Sequence, residues 1–228
     1  MSRLHFVVEG QTEETFVKNV LAPYLGQFNI FVNVRNVETS RSKTKIYRGG
    51  LIDYQKAKTD LQLWMRQEAR NSDVYFTTMF DLYRLPDSFP AYHEAKRQSD
   101  PYQKVALLEK ALAEELDYSR FMPYIQLHEF EALLFADIAK LDWEFLEHER
   151  EIASLVKLAD EFGNPELIDD GPETAPSKRI IQLIPEYAAR KVSVGSIVAQ
   201  KIGVATLREK CLHFDQWLLQ LEQLDKST

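Results

Sequence analysis

Short apolar runs alternate with segments of helical spacing through the first two thirds of the chain. Leu4, Phe6, Val7 and Val8 form a compact, partly β-branched run that predicts a buried strand over residues 3–8. Phe16, Val17, Val20 and Leu21 then recur at helical spacing. They predict a helix over about 12–25, with Thr12 as its N-cap and Glu13 and Glu14 in its first turn. Phe28, Ile30, Phe31, Val32, Val34 and Val37 predict a second strand. Residues 52 to about 70 read as an amphipathic helix with Ala57, Leu61, Trp64 and Met65 on one face. The run from Val74 to Phe80 is almost wholly apolar or β-forming, as a central parallel strand should be, and it ends at Asp81. Leu85 to Pro90 is an irregular loop. Val105, Leu108, Leu112 and Leu116 mark a helix over about 102–117. Phe121 to Leu127 predicts a further strand ending at His128-Glu129, and Phe130 to Phe135 a short buried helical piece.

The last third predicts one or two helices from Trp143 to about Phe162 and a long loop from Gly163 to Ser177 with three prolines and two glycines. A helix over Lys178–Ala189 and an amphipathic helix over 206–224 follow. Strands alternating with helices predict an α/β fold: a mostly parallel sheet flanked by helices, with a helical C-terminal elaboration. One domain is expected over 1–228, its core at about 1–140 and the helical part at about 141–228.

A length of 228 residues, 45% of them hydrophobic, suits such a domain. The net charge of -7 argues against a generally basic nucleic-acid binder. It is compatible with a metal-dependent nuclease, because bound cations reverse the sign of a carboxylate site. Residues 39–50 run against the acidic background: Thr39, Ser40, Arg41, Ser42, Lys43, Lys45, Arg48, Gly49 and Gly50 include four cations and no acid. That is either a phosphate-contacting loop or a solvated one. The lone Cys211 excludes an intrachain disulfide and a Cys-rich zinc site. No signal peptide is recognised and no run approaches a membrane span of roughly 18 apolar residues, so a cytoplasmic protein is expected, with no membrane partner.

The chemistry-bearing residues sit where strands end. Glu9 follows the first strand, Gly10 would let the backbone pass close to a ligand, and Glu13 comes four residues on. Asp81 ends the third strand, and Glu129 and Glu131 follow the last one. Ligands of open α/β sheets bind outside the carboxyl ends of the strands. Carboxylates converging there repel unless protonated or bridged by cations. Oxygen-only ligation suits Mg²⁺ or Mn²⁺, and two such ions about 3.5–4 Å apart can act on a phosphodiester. The same spacing around Glu9 also fits an ordinary strand–helix turn with an acidic cap, and Asp81 would also serve as a cap. Glu129 and Glu131 are expected to diverge, leaving Glu129 as the site residue. His128-Glu129-Phe130-Glu131 is followed by Ala132 where a His-Glu-x-x-His zinc hydrolase needs its second histidine, so zinc hydrolysis is rejected and His128 is expected to be structural. In Pro176-Ser177-Lys178-Arg179, Ser177 is the expected N-cap. Lys178 and Arg179 then stand in a first helical turn, unfavourable for cations without an anionic partner.

Val8-Glu9-Gly10-Gln11-Thr12-Glu13-Glu14 resembles the first motif of the Toprim fold in OLD-type nucleases. With the segments around Asp81, His128–Glu131 and Pro176–Arg179, most of the chain resembles a bacterial family of small stand-alone Toprim-like proteins, often encoded beside an ATPase and suspected in defence against phage. The resemblance implies a Toprim-like, Rossmann-like fold, with Glu9 and Glu13 as metal ligands and Asp81 in the metal site. It further implies a late lysine, matched here by Lys178, that stabilises transition-state charge. The expected catalytic residues are thus Glu9, Asp81 and Lys178. The expected ligands of Mg²⁺ or Mn²⁺ are Glu9, Glu13, Asp81 and Glu129. Arg41, Lys43, Lys45, Arg48 and Arg179 are expected to meet nucleic acid. One departure is that many Toprim proteins carry Asp-x-Asp where this chain has Asp81-Leu82-Tyr83, which weakens a second metal site unless Asp87, Glu129 or Glu131 substitutes. The expected function is a metal-dependent nuclease acting on DNA or RNA, the effector of a two-gene anti-phage system with an ATPase partner. The alternative is a non-catalytic Toprim-like subunit that binds a partner protein or a nucleotide. Primase-like transfer has no supporting motif.

Overall fold

The computed structural model describes residues 1–37, 53–168 and 174–225. Its sheet is parallel throughout. β1 (Ser2–Val8) lies between β2 (Ile30–Asn36) and β3 (Val74–Asp81), and β3 pairs on its far side with two short strands, β4 (Phe121–Met122) and β5 (Ile125–Gln126). The strand expected over Phe121–Leu127 is split here. Pro123 has no N–H to give to a ladder, and the hydroxyl of Thr78 takes over, donating to the Tyr124 carbonyl and accepting the Tyr124 N–H, both at 2.9 Å.

The first helix starts at Gln11, with Gly10 rather than Thr12 at its cap; Thr12 is buried within the first turn. α1 (Gln11–Phe16) continues through a π turn, Val17–Leu21, into α2 (Ala22–Gly26). Pro23, which cannot donate to the helical ladder, stands just past that wider turn. α3 (Tyr54–Gln67) is capped by Asp53, whose carboxylate accepts from Lys56 N at 3.2 Å. A 3₁₀ turn, Leu82–Arg84, and α4 (Tyr92–Ala95) lead to α5 (Pro101–Leu116). Beyond β5 come 3₁₀ segments at Phe130–Ala136 and Ile138–Trp143, α6 (Glu149–Phe162), a 3₁₀ turn at Pro165–Leu167, then α7 (Pro176–Leu183), α8 (Tyr187–Ile202), α9 (Val204–Lys210) and α10 (Leu212–Leu221).

Helices cover both faces of the sheet. On one face Val7, Phe76 and Phe80 pack against Leu61 and Met65 of α3 and Val105, Leu108 and Leu112 of α5. On the other face the core runs from Leu4, Phe6 and Phe16 to Phe130, Tyr187, Phe214, Trp217 and Leu224. The C-terminal helices therefore complete the core of the α/β unit, and packing crosses the expected boundary at about 140. Among the described residues no helix is long and apolar enough to cross a membrane.

α8 lies close against α1. A Cβ at Gly195 would stand 3.1 Å from Phe130 Cε1, 3.4 Å from Tyr187 Oη and 3.5 Å from Thr12 Cγ2. Phe130 is itself held edge-on to Phe16, ring centres 5.3 Å apart, and has little room to yield. Gly195→Val should thus lower unfolding free energy by about 1–3 kcal/mol. Gly26→Ala, where nothing lies within 4 Å of the new Cβ, should be neutral or gain up to about 1 kcal/mol. Denaturant titrations of both variants check this; equal effects would mean that the α8–α1 approach is not tight.

Candidate functional site

From β1 the chain crosses to β2 on one side, then returns past β1 to form β3 on the other. Such a reversal opens a crevice at the carboxyl ends of the two central strands. Glu9 directly follows β1 and Asp81 closes β3, so both stand at that point. They touch: Asp81 N–H donates to Glu9 Oε1 at 2.7 Å. Glu13, on the first turn of α1, and Glu129, following β5, bring their charges to the same place. Burial above all, and then Glu13, Glu9 and Glu129, push the Asp81 carboxyl well above the usual carboxylate range. Asp81 Oδ1 is buried without a hydrogen-bond partner. Burial also raises Glu13, against the opposing pull of Lys191 and Arg84.

The other wall comes from a special turn. His128 adopts the left-handed region at φ 63°, its carbonyl accepting Tyr83 N–H at 2.8 Å and its Nε2 lying 2.9 Å from the Glu166 carbonyl. The chain leaves it extended at Glu129 and enters the 3₁₀ segment at Phe130. The expected divergence of Glu129 and Glu131 is overturned by this geometry: an extended residue followed by a tight turn aims both at one cation. Lys191 Nζ on α8 lies 3.6 Å from Glu129 Oε2 and 2.9 Å from Glu131 Oε2. Glu129 Oε1 accepts Ser177 N–H at 2.6 Å, and Glu131 Oε1 accepts the Tyr187 hydroxyl at 3.1 Å. Burial lifts Glu131 to about 7, with Lys191 opposing. Burial lowers Lys191, but Glu131 and Glu129 outweigh it and hold the ammonium above its ordinary range. Glu9, Glu13, Asp81, Glu129 and Glu131 are all between 0% and 7% exposed, so their mutual repulsion is poorly screened by water.

A family model described as "Domain of unknown function (DUF4276)" matches residues 8–222. The chain belongs to the DUF4276 family. No curated protein and no solved structure matches it. The DUF4276 match takes in the whole cluster, from Glu9 to Lys191.

Lys178 is exposed on α7, whose cap is Ala175; Ser177 lies inside the helix and gives its N–H to Glu129. Arg179 is turned inward, donating from Nε to the Thr174 carbonyl at 2.7 Å and lying over the Phe162 ring. Asp87 is exposed, and its charge, after burial, helps to raise the Tyr92 hydroxyl. Arg41, Lys43, Lys45 and Arg48 lie outside the described residues. Sequence reasoning misses Lys191, because the helical pattern runs out at about Ala189, and Tyr187, because it reads as one more apolar position of that helix.

Among the described residues no three His, Cys, Asp or Glu side chains are already arranged around one point as metal ligands. One oxygen each of Glu9 and Glu129 faces a backbone N–H, and Lys191 stands between Glu129 and Glu131. The donor chemistry of this DUF4276 site nonetheless fits a hard divalent cation: oxygen only, strongly anionic, with Asp81 Oδ1 unpartnered.

Raised carboxyl pKa values stabilise the fold below the usual carboxylate range, and that stability is lost as pH rises through the folded values, about 7 for Glu131. The metal-free protein should therefore melt higher at about pH 5.5 than at about pH 8. Glu9→Gln keeps an oxygen for Asp81 N–H and removes one charge; near pH 8 in chelator it should be more stable by on the order of 1 kcal/mol. Mg²⁺ or Mn²⁺ should raise the melting temperature of the wild type and that of the variant much less. A destabilised variant, with no metal effect on the wild type, would make Glu9 scaffold.

Proposed function

We propose that the chain is a Mg²⁺- or Mn²⁺-dependent nuclease of Toprim-like type, hydrolysing phosphodiester bonds of DNA or RNA. In this reading it is the effector of a two-gene anti-phage system whose partner is an ATPase. The observation that carries the reading is the meeting of Glu9 and Asp81 at the reversal point of the sheet, with Asp81 Oδ1 buried and unpartnered. Glu9, Glu13, Asp81 and Glu129 would hold the cation. When bound, it supplies Lewis-acid polarisation and offsets charge on the leaving oxygen. Asp81 Oδ1, unpartnered in the metal-free protein, is the oxygen that would hold either the cation or the attacking water. Lys191 takes the part that the resemblance gives to Lys178: its ammonium can donate to a non-bridging phosphoryl oxygen as charge develops. Glu131 and Tyr187 position that lysine through Glu131 Oε2 and Oε1.

One observation favours a second reading. Lys191 is already paired with Glu129 and Glu131, as it would be in a non-catalytic Toprim-like subunit that uses this surface for a partner protein or a nucleotide.

Nicking of supercoiled DNA and cleavage of single-stranded RNA, in Mg²⁺ and Mn²⁺ with and without the neighbouring ATPase, separates the two. Asp81→Asn should lose at least about 10²-fold in rate, and Lys191→Gln about 10²–10³-fold. Lys178→Gln should remain close to wild type. Absence of cleavage under every condition, with the metal-induced melting shift retained, would establish the second reading. Joint neutralisation of Arg41, Lys43, Lys45 and Arg48 should flatten the salt dependence of nucleic-acid binding by about one log-log unit for each phosphate no longer neutralised. An unchanged slope would leave that loop merely solvated.

A further inference from the structure

A cavity of about 230 Å³ opens immediately beyond the end of β3, lined by Leu82, Tyr83, Tyr92, Lys96, Lys104 and Leu108. Its wall begins at Leu82, one residue past Asp81; neighbouring strand residues face opposite ways, and Leu82 packs on the side of the sheet covered by α3 and α5. The volume falls below the roughly 300–1,000 Å³ of drug-sized pockets, which suits one ring system better than a larger ligand. Its composition is specific. Leu82 and Leu108 supply an apolar floor, and Tyr83 and Tyr92 supply two aromatic rings. Tyr83 is 40% exposed although its N–H is tied to the His128 carbonyl at 2.8 Å, so its backbone is fixed while its ring is free to meet a ligand. Lys96 Nζ lies 5.9 Å from the centre of the Tyr92 ring, and Lys104 faces the same cavity from α5. In a chain of net charge -7, two lysines beside two tyrosines point to a ligand that is both aromatic and anionic.

We propose that this cavity takes an unpaired nucleobase of single-stranded DNA or RNA, stacked on Tyr83 and Tyr92, with Lys96 and Lys104 on the adjoining phosphates. The inference deepens the nuclease reading and rests on it: a strand anchored here by one base runs past the end of β3, where Asp81 stands. A duplex keeps its bases stacked internally and offers none to the cavity, so selectivity for single strands follows from the site itself. Aromatic stacking of this kind is tolerant of sequence.

The test uses the full-length protein in chelator, so that binding is read apart from cleavage. Fluorescence anisotropy compares a labelled single-stranded DNA, the same sequence as RNA, and the DNA duplex. Single strands should bind at least about fivefold more tightly than duplex, and Tyr83→Ala combined with Tyr92→Ala should weaken single-strand binding by about tenfold or more. Duplex binding should be little changed. Tyr83→Ala alone, at an exposed position, guards against a folding defect and should lose at least about fivefold. Lys96→Gln with Lys104→Gln should lower the log-log salt slope for single strands by about 1.4 units. The DNA and RNA arms identify which single strand the site prefers. Equal affinity for duplex and single strand, or tyrosine variants that bind as the wild type does, would overturn the proposal. A protein that holds single strands through these tyrosines yet never cleaves them in Mg²⁺ or Mn²⁺ supports the cavity and overturns the nuclease reading.

Discussion

Five buried carboxylates meet at one end of the sheet, two of them paired with Lys191, and the rest of the structure is arranged around keeping that combination tolerable. Like charges at the ends of adjacent strands repel strongly where water is excluded. Three devices answer this. Backbone N–H groups of Asp81 and Ser177 each solvate one carboxylate oxygen, burial leaves Asp81, Glu13 and Glu131 with raised proton affinity, and Lys191 supplies a full positive charge. The third depends on close packing. Lys191 and Gly195 are four residues apart and so lie on one face of α8, and the missing side chain at Gly195 lets that face approach Phe130 and Thr12. The smallest residue on the helix thereby delivers the charge.

The strand that carries Asp81 is held from the far end of the chain. Trp217 Nε1 donates to Thr77 Oγ1 at 2.9 Å, which in turn donates to the Met122 carbonyl at 2.6 Å. Trp217 stacks on Tyr124 with ring centres 4.0 Å apart. Glu166, fully buried, accepts the N–H groups of His213 and Phe214 at the start of α10 and the hydroxyl of Tyr102, tying α10 to α5. The position of Asp81 is thus fixed by contacts well outside its own strand, as a rigid site requires.

The sheet and the acids at its edge are legible in the sequence because each central strand is a largely apolar or β-forming run that stops at an acid: Val8 before Glu9, Phe80 before Asp81. That signal is local and survives without tertiary information. Lys191 is not legible, for the opposite reason. Val192-Ser193-Val194-Gly195-Ser196-Ile197-Val198 is β-branched and contains glycine, so its intrinsic preference speaks against helix, and only burial of Val194, Val198 and Ile202 among distant residues enforces one. Lys178 draws attention in the sequence because it stands beside a recognisable motif. The direction of Glu131 escapes a reading in regular strands and helices, because the chain makes a left-handed residue, an extended residue and a 3₁₀ turn in succession.

The sheet order has a temporal side. The first strand is synthesised early, yet its end is fastened late: Ser2 Oγ donates to the Leu224 carbonyl, and the amino group of Met1 lies 2.7 Å from Asp225. All five acids of the cluster precede Lys191 in the chain. A growing polypeptide therefore carries the full negative charge before it possesses the ammonium that balances it, and contacts of such long sequence separation form slowly. The crevice with its paired lysine is accordingly assembled only once α8 has been made, and a fragment stopped before α8 would lack the ammonium that pairs with Glu129 and Glu131.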